Sequence, residues 1–510
     1  MDTPIAGFNQ PRISETLRPQ LARLSKTMMV YGVGGFLNRF IGFLLLPVFT
    51  AYLTPVDYGI SSILSWVAFV LTPIFSLGMG AAIAPCYFEG NNPERKEITV
   101  RTAFSLLLIS SGLLAIMGVV LARPISSLAF KTSEYHDLVA LSLLSTSLSI
   151  LSIPSTLYLQ LEERAKLFVT LTLLVTVGSV ASSLLLVVTF GRGIRGWVEA
   201  GLIGQAINVI LFLLPTIRKV GFRFCFTLSK ELLKLSAPLI PSFAFVFILQ
   251  HGNRYIIQWF DGLESLGVYT VGFNLGLAMS LAVSAFQTSW LPFFMSFVEK
   301  REEARLLFGR ILTYYVFAFG AVTILFFIGA KPIVMLLTQP AFHEGYKVVG
   351  LSASAQFLAG VFYVLLPGLY FAKEVGYVSL IQAFASMAAV GLNLILIPAY
   401  GISGAAICVA LGFLGMVLLT HLWNCNRRRQ YLHIEYEWVR VGRFGLVYLI
   451  YAIIMLFDRD LTWLGESMFS IAVMLTLPLP LFCLLRPQER RAVRSFLPTL
   501  TTKRTMSRSA

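Results

Sequence analysis

Acidic residues are scarce in this chain: 25 Asp and Glu stand against 40 Lys and Arg, and charged residues make up only 13% of its 510 positions. A soluble domain carries about 25% charge, so an ordinary soluble enzyme or binding domain is excluded. Polar intervals are short as well, and none could fold as a sizeable extramembrane domain. Cysteine is sparse: Cys86, Cys225, Cys408, Cys425 and Cys483 form no CxxC and no Cys/His cluster, so neither a disulfide nor a metal site is expected. Nor does any motif call for a cofactor. The five histidines include His136 and His343, and neither has a carboxylate or nucleophile at catalytic spacing. Residues 1–26 are polar and the following apolar run is too long for a signal h-region, so no cleaved secretory signal is expected.

What the chain has is hydrophobic sequence, 57% of the total. Apolar runs of about 20 residues, enough to cross about 30 Å of hydrocarbon as helix, recur along nearly the whole length. Fourteen spans are predicted: 27–53, 59–84, 102–122, 137–160, 167–190, 195–215, 235–260, 265–290, 308–329, 348–372, 376–398, 401–423, 441–457 and 467–485. The runs are continuously apolar, without the alternation of a membrane barrel, so helices must satisfy the backbone within lipid. The expected fold is all-α, a polytopic helical bundle.

The net charge of +15 reflects topology. Thirty-one of the Lys and Arg residues fall on the side shared by both termini. Only Arg123, Lys131, Arg192, Arg195, Lys331, Lys347 and Arg459 fall on the other. The positive-inside rule therefore places both termini in the cytoplasm. Basic runs such as "NRRRQ" at 426–430 are read as anchors against membrane lipid headgroups, not as a nucleic-acid surface.

The two halves echo one another at an offset of about 210 residues. "LNRFIGFLL" at 37–45 is answered by "GNRYIIQWF" at 252–260, "PSTLYLQLEE" at 154–163 by "PGLYFAKE" at 367–374, and "GWVEAGLIG" at 196–204 by "GISGAAIC" at 401–408. These echoes divide the chain into a cytoplasmic tail (1–26), an N-lobe (27–215), a linker (216–234), a C-lobe (235–423), two additional spans (424–485) and a basic cytoplasmic tail (486–510). The expected architecture is two pseudo-symmetric six-helix lobes, related by an axis along the membrane normal, plus two C-terminal helices.

The doubled motif puts Arg39 and Arg254 at corresponding places on the first helix of each lobe, beside Asn38 and Asn253. Arg39 lies about 18 Å into its span, too deep for easy snorkelling, whereas Arg254 is expected nearer the outer end. Glu199 is the only acid expected well inside a span, so resident carboxylates do not obviously neutralise Arg39. An uncompensated guanidinium suits an anion, and its fork fits phosphate bidentately. The alternative is a structural arginine bound to backbone carbonyls or loop acids. Single polar residues such as Gln205, Asn208, Gln356 and Asn393 are read first as interhelical hydrogen bonds.

"YLTPVDYG" at 52–59, "LSAPLIPSFAFVFILQHGNRYII" at 235–257, "LGVYTVGFNLG" at 266–276, "AFQTSWLPFFMS" at 285–296 and "LNLILIPAYGISGAAI" at 392–407 resemble the Wzx-type polysaccharide and O-antigen repeat-unit flippases. These form the polysaccharide transporter branch of the multidrug/oligosaccharidyl-lipid/polysaccharide exporter superfamily. The resemblance runs from the first span to about the twelfth. It implies a non-enzymatic flippase in the bacterial inner membrane that moves undecaprenyl-pyrophosphate-linked oligosaccharide by alternating access, for O-antigen, capsule or exopolysaccharide synthesis. The cavity would hold pyrophosphate and sugar at Arg39, Arg254, Asn38 and Asn253, and a polymerase and a chain-length regulator would be partners. The family commonly places Asp before the arginine of the seventh span, where this chain has Asn253, which argues against a carboxylate cation site there. A lipid II-type flippase and a small-molecule cation antiporter of the same superfamily are the alternatives. A polymerase of the pathway would usually carry a large outer loop, and the longest here, near 123–136 and 331–347, are about 15 residues.

Overall fold

The computed structural model describes residues 35, 40–88, 93–162, 164–220, 224–237, 240–295, 297, 301–372, 374, 376–425, 434–457, 462–487 and 489–490. The described chain is helical, without strands. In order the helices are α1 (Phe40–Tyr52), α2 (Pro55–Phe75), α3 (Met79–Phe88), α4 (Pro93–Val120), α5 (Ala122–Phe130), α6 (His136–Leu161), α7 (Ala165–Ser183), α8 (Gly193–Asn208), α9 (Leu214–Val220) and α10 (Phe226–Ser236). There follow α11 (Ile240–His251), α12 (Asn253–Gly276), α13 (Met279–Met295), α14 (Arg301–Leu337), α15 (Tyr346–Leu365), α16 (Pro367–Phe371), α17 (Gly376–Cys425), α18 (Trp438–Leu456), α19 (Trp463–Thr476) and α20 (Pro478–Leu484). Two compact units result: residues 1–45 with 64–240, and 46–63 with 241–510.

Among the described residues ten helices are long and apolar enough to cross a membrane, or eleven with the bent pair Ala244–Gly276 and Met279–Met295. The expected fourteen exceed this at three places. The first span, 27–53, lies partly outside the described residues, and its described part is the shorter α1. The bent pair corresponds to two expected spans. α17 corresponds to two more: its 50 residues would make a straight rod of about 75 Å, against about 30 Å of hydrocarbon. The chain instead turns back at Gly401, whose φ of 55° and ψ of −136° are non-helical. A methyl on Gly404 would lie 2.1 Å from the Leu396 carbonyl, although eight residues of straight helix separate such atoms by about 12 Å. Gly401→Ala is expected to cost about 1–3 kcal/mol, seen as earlier melting in detergent. Gly415→Ala is the control, because a methyl there meets nothing within 4 Å.

The intervals read as outer loops are largely helical. α5 fills 122–130, and α14 runs on to Leu337 before a 3₁₀ turn at Pro340–Gly345 leads into α15. Lys331, expected in a loop, therefore stands on a helix. The expected linker 216–234 likewise holds the end of α9 and most of α10.

Within the second unit, glycines bring backbones into contact. A methyl on Gly267 would lie 1.7 Å from the Pro55 carbonyl, and one on Gly272 would lie 2.2 Å from that of Gly345. Without hydrophobic exclusion between helices in lipid, such close approach is what holds them together.

The hairpin of α18 to α20 is fastened to α14 at two levels. At one, Lys331 Nζ donates to Glu466 Oε1 at 2.9 Å and the Trp463 indole donates to the Pro332 carbonyl at 3.4 Å. At the other, Arg440 donates to Glu437 at 2.8 Å and to Glu489 at 2.7 Å, Thr313 donates to Glu437 at 3.1 Å, and Arg305 pairs with Glu435 at 2.6 Å. Burial acts to raise the Glu489 pKa, but the Arg486 backbone N–H and the Arg440 guanidinium outweigh it and hold the carboxyl below its ordinary value. The folded pKa is thus depressed. The stabilisation is complete above the ordinary value of about 4.3 and is lost as pH falls through the lower folded value. Glu489→Gln is expected to flatten the acid limb of a melting-temperature profile below about pH 4.3, while an unchanged limb would place acid sensitivity elsewhere.

Candidate functional site

The site residues named from sequence fall into two groups. Arg39 and Asn38 lie outside the described residues. Asn253 and Arg254 lie in the second unit, in the first turn of α12, where Gly252 joins it to α11. The Gly252 N–H still donates to the Ile248 carbonyl at 2.8 Å, so the rod continues through the joint. A methyl on Gly252 would lie 2.6 Å from that carbonyl. The next break in this rod comes at Gly262, with φ of 82° and ψ of −178°. From there the second arm of α12 brings Tyr269 back toward the first.

Asn253 is 1% exposed. Its amide donates to the Tyr269 hydroxyl at 2.6 Å and to the Ala405 carbonyl at 3.4 Å, tying both arms of α12 to α17. Its Oδ1 is buried without a hydrogen-bond partner among the described residues. The side chain positions its neighbours and keeps one acceptor free.

Arg254 is 7% exposed, so it is buried rather than snorkelling. Its Nε has no hydrogen-bond partner, and no carboxylate pairs with it among the described residues. The groups close enough to interact with it electrostatically are His251 and Tyr269. The His251 ring packs against Phe247 and Phe273 at centroid distances of 5.1 and 6.0 Å. Gln258 follows Arg254 by four residues, on the same helical face, and its Oε1 is also buried without a partner.

The structure thus adds Gln258, His251 and Tyr269 to the residues named from sequence. The 251, 254, 258 spacing was the available signal for the first two, whereas Tyr269 is brought in by the turn at Gly262. Chemically, the cluster is a guanidinium out of water, an amide with an open acceptor and a phenol already engaged. Such a set can hold an anion at Arg254 and offer acceptors to hydroxyl groups.

Of the other polar residues singled out in the sequence, Asn208 and Gln205 bond one another, whereas Gln356 Nε2 and Asn393 Oδ1 are buried without a hydrogen-bond partner among the described residues. The Asn208 amide donates to the Ser152 hydroxyl and to Gln205 Oε1, both at 3.3 Å. Asn393 donates to its own helix at Ala389, at 2.8 Å.

Sequence boundaries missed one embedded acid. Glu466 was placed just outside the last span, yet it is 0% exposed and pairs with Lys331. Lys331 also lies over the Tyr346 ring, 5.3 Å from its centroid. No group of three or more His, Cys, Asp or Glu residues placed to hold a metal ion occurs among the described residues.

A model of the family described as "Polysaccharide biosynthesis protein" matches residues 24–298, more than half of the chain. Among solved structures, the chain resembles a lipid II flippase MurJ in an inward closed conformation, with 16% identity, a TM-score of 0.70, and coverage of 88% of this chain and 98% of that one. It also resembles an inward-facing multidrug resistance MATE family transporter of the MOP superfamily, at 14% identity and a TM-score of 0.61, covering 84% of this chain and 99% of that one. A MATE in complex with MaD3S gives 14% identity and a TM-score of 0.57, over 83% and 96% of the respective chains. No curated protein matches the sequence significantly. At these identities the structural likenesses establish the fold: a multi-span membrane protein built as MurJ and MATE transporters are.

Proposed function

The chain belongs to the polysaccharide biosynthesis protein family, and from that premise we propose that it is a Wzx-type flippase. It moves undecaprenyl-pyrophosphate-linked oligosaccharide repeat units across the bacterial inner membrane by alternating access, for O-antigen, capsule or exopolysaccharide synthesis. Both termini are cytoplasmic on this reading. The observation that carries it is Arg254: a guanidinium removed from water, without a carboxylate partner among the described residues, and thus suited to a pyrophosphate. Arg39 and Asn38 are its counterparts in the first half of the sequence repeat. Asn253 and Gln258 offer acceptors to sugar hydroxyls. A polymerase and a chain-length regulator would use the delivered units.

A lipid II-type flippase is the second reading, favoured by the likeness to MurJ. It shares the need for an anion-holding cavity. A cation antiporter fits less well, because Asn253 stands where a carboxylate would be needed and Glu466 is already paired with Lys331.

The test is complementation of a bacterium lacking its repeat-unit flippase, at matched membrane expression. Wild type is expected to restore surface polysaccharide, Arg39→Ala to abolish it and Arg39→Lys to keep part of it. Full activity of Arg39→Ala would remove that residue from the site. Rescue of a strain depleted of its lipid II flippase, without rescue of the polysaccharide strain, would select the second reading.

A further inference from the structure

In the first unit, the antiparallel pair of α7 with α8 and α9 carries an open groove of about 580 Å³, lined by Leu171, Ile210, Leu211, Leu214, Pro215 and Arg218. Its form comes from the backbone. Val209–Leu213 is a π-helical turn, which displaces side chains from α-helical register. Pro215 then lacks the N–H that an α-helix would direct to the Leu211 carbonyl.

The register of the pair is set by close contacts. A methyl on Gly204 would lie 2.2 Å from the Ser179 hydroxyl, and one on Gly178 would lie 2.8 Å from Ile207. Phe168 meets Phe212 at 5.8 Å between ring centroids. Continued by nearly two turns beyond Phe212, this register brings Arg218 level with the start of α7, where Arg164 and Lys166 stand. All three cations are exposed. The adjacent acid Glu162 accepts a hydrogen bond from the Tyr87 hydroxyl at 2.5 Å. The arm Ala165–Thr189 is also the least covered of the candidate spans, with 6% of its apolar window buried. The groove is therefore an apolar channel on an uncovered helix with a basic end.

We propose that this groove binds an anionic phospholipid of the bilayer. Its phosphate sits on Arg218 with Lys166 and Arg164, and one acyl chain lies along Leu171, Ile210, Leu211 and Leu214. Charge complementarity at the basic end favours an anionic over a zwitterionic headgroup. The remaining lining carries no amide, hydroxyl or aromatic group that could receive a glycan. The occupant is thus a membrane lipid rather than the lipid-linked oligosaccharide, and this site is independent of the one at Arg254.

The purified full chain in mild detergent tests this by titration with phosphatidylglycerol, bound lipid being counted by native mass spectrometry, with phosphatidylethanolamine as the zwitterionic probe. Wild type is expected to prefer phosphatidylglycerol. Arg218→Gln should lose about fivefold in affinity and Arg218→Gln with Lys166→Gln about 25-fold, as for cations near an anionic surface. Leu171→Trp, which fills the groove, should lower binding, and Arg123→Gln, away from the groove, should leave it unchanged. Equal phosphatidylglycerol binding by wild type and the double variant would overturn the proposal, as would equal binding of phosphatidylethanolamine. Preferential displacement by undecaprenyl phosphate would also overturn it, assigning the groove to a carrier lipid instead.

Discussion

Arg254→Leu is expected to raise the thermal stability of the protein in detergent while abolishing transport. Taking a charge out of water costs several kcal/mol unless a partner offsets it, and apolar replacement of buried charged groups has stabilised proteins by about 1–4 kcal/mol. Arg254 has no carboxylate partner among the described residues, so a gain within that range is expected. The same residue is assigned to hold the anionic part of the substrate. Truncating one member of a buried charged contact costs about 2–5 kcal/mol of binding, at least about 30-fold. Arg254→Lys keeps the charge and loses the fork, so partial transport is expected. Melting in detergent, paired with surface polysaccharide in the complementation strain, separates the two roles. If Arg254→Leu melts earlier than wild type, the residue is a structural arginine and the anion site must lie elsewhere.

The opposite sign is expected at Lys331 and Glu466. Here the pair is made, with side-chain exposures of 15% and 0%, and losing one member takes from the other, buried side chain the opposite charge 2.9 Å away. Lys331→Met is expected to lower the stability of the folded protein by about 3–5 kcal/mol. Lys331→Met combined with Glu466→Leu should recover most of that loss, because apolar neighbours of similar volume need no partner. Denaturant unfolding of the two single variants and the double variant gives the coupling directly. Additive losses would show that the two side chains do not depend on one another.

Much of the fold was legible in the sequence because lipid leaves the backbone few choices. Continuous apolar runs dictated helices; the turn at Gly262 fell between the predicted spans 235–260 and 265–290, and that at Gly401 on the first residue of the predicted span 401–423. Less legible was how far helices extend beyond the hydrocarbon. The predicted span stops at Gly329, two residues before Lys331, yet an ammonium paired with a carboxylate does not end a helix, and α14 runs to Leu337. The same boundary left Glu466 outside the last span, since its partner is 135 residues away in sequence.

At the candidate site, the pattern placed Arg254 on a membrane helix but not its depth within the protein. Snorkelling was read from position along the span, whereas burial comes from side chains that the turn at Gly262 brings back. Tyr269, sixteen residues beyond Asn253, carries no helical-period signal linking it to that residue.

The fastening of the last hairpin to α14 also has a consequence for biogenesis. Glu466 follows Lys331 by 135 residues, so at about 5–20 residues per second of synthesis the lysine waits roughly 7–27 s for its partner. During that interval its long side chain can reach the headgroup region from near the helix end. The nascent chain thus enters the membrane with α14 charged at that level, and the arrival of the final helices neutralises it. A chain stopped before Glu466 would leave this lysine without the carboxylate that pairs with it in the folded protein.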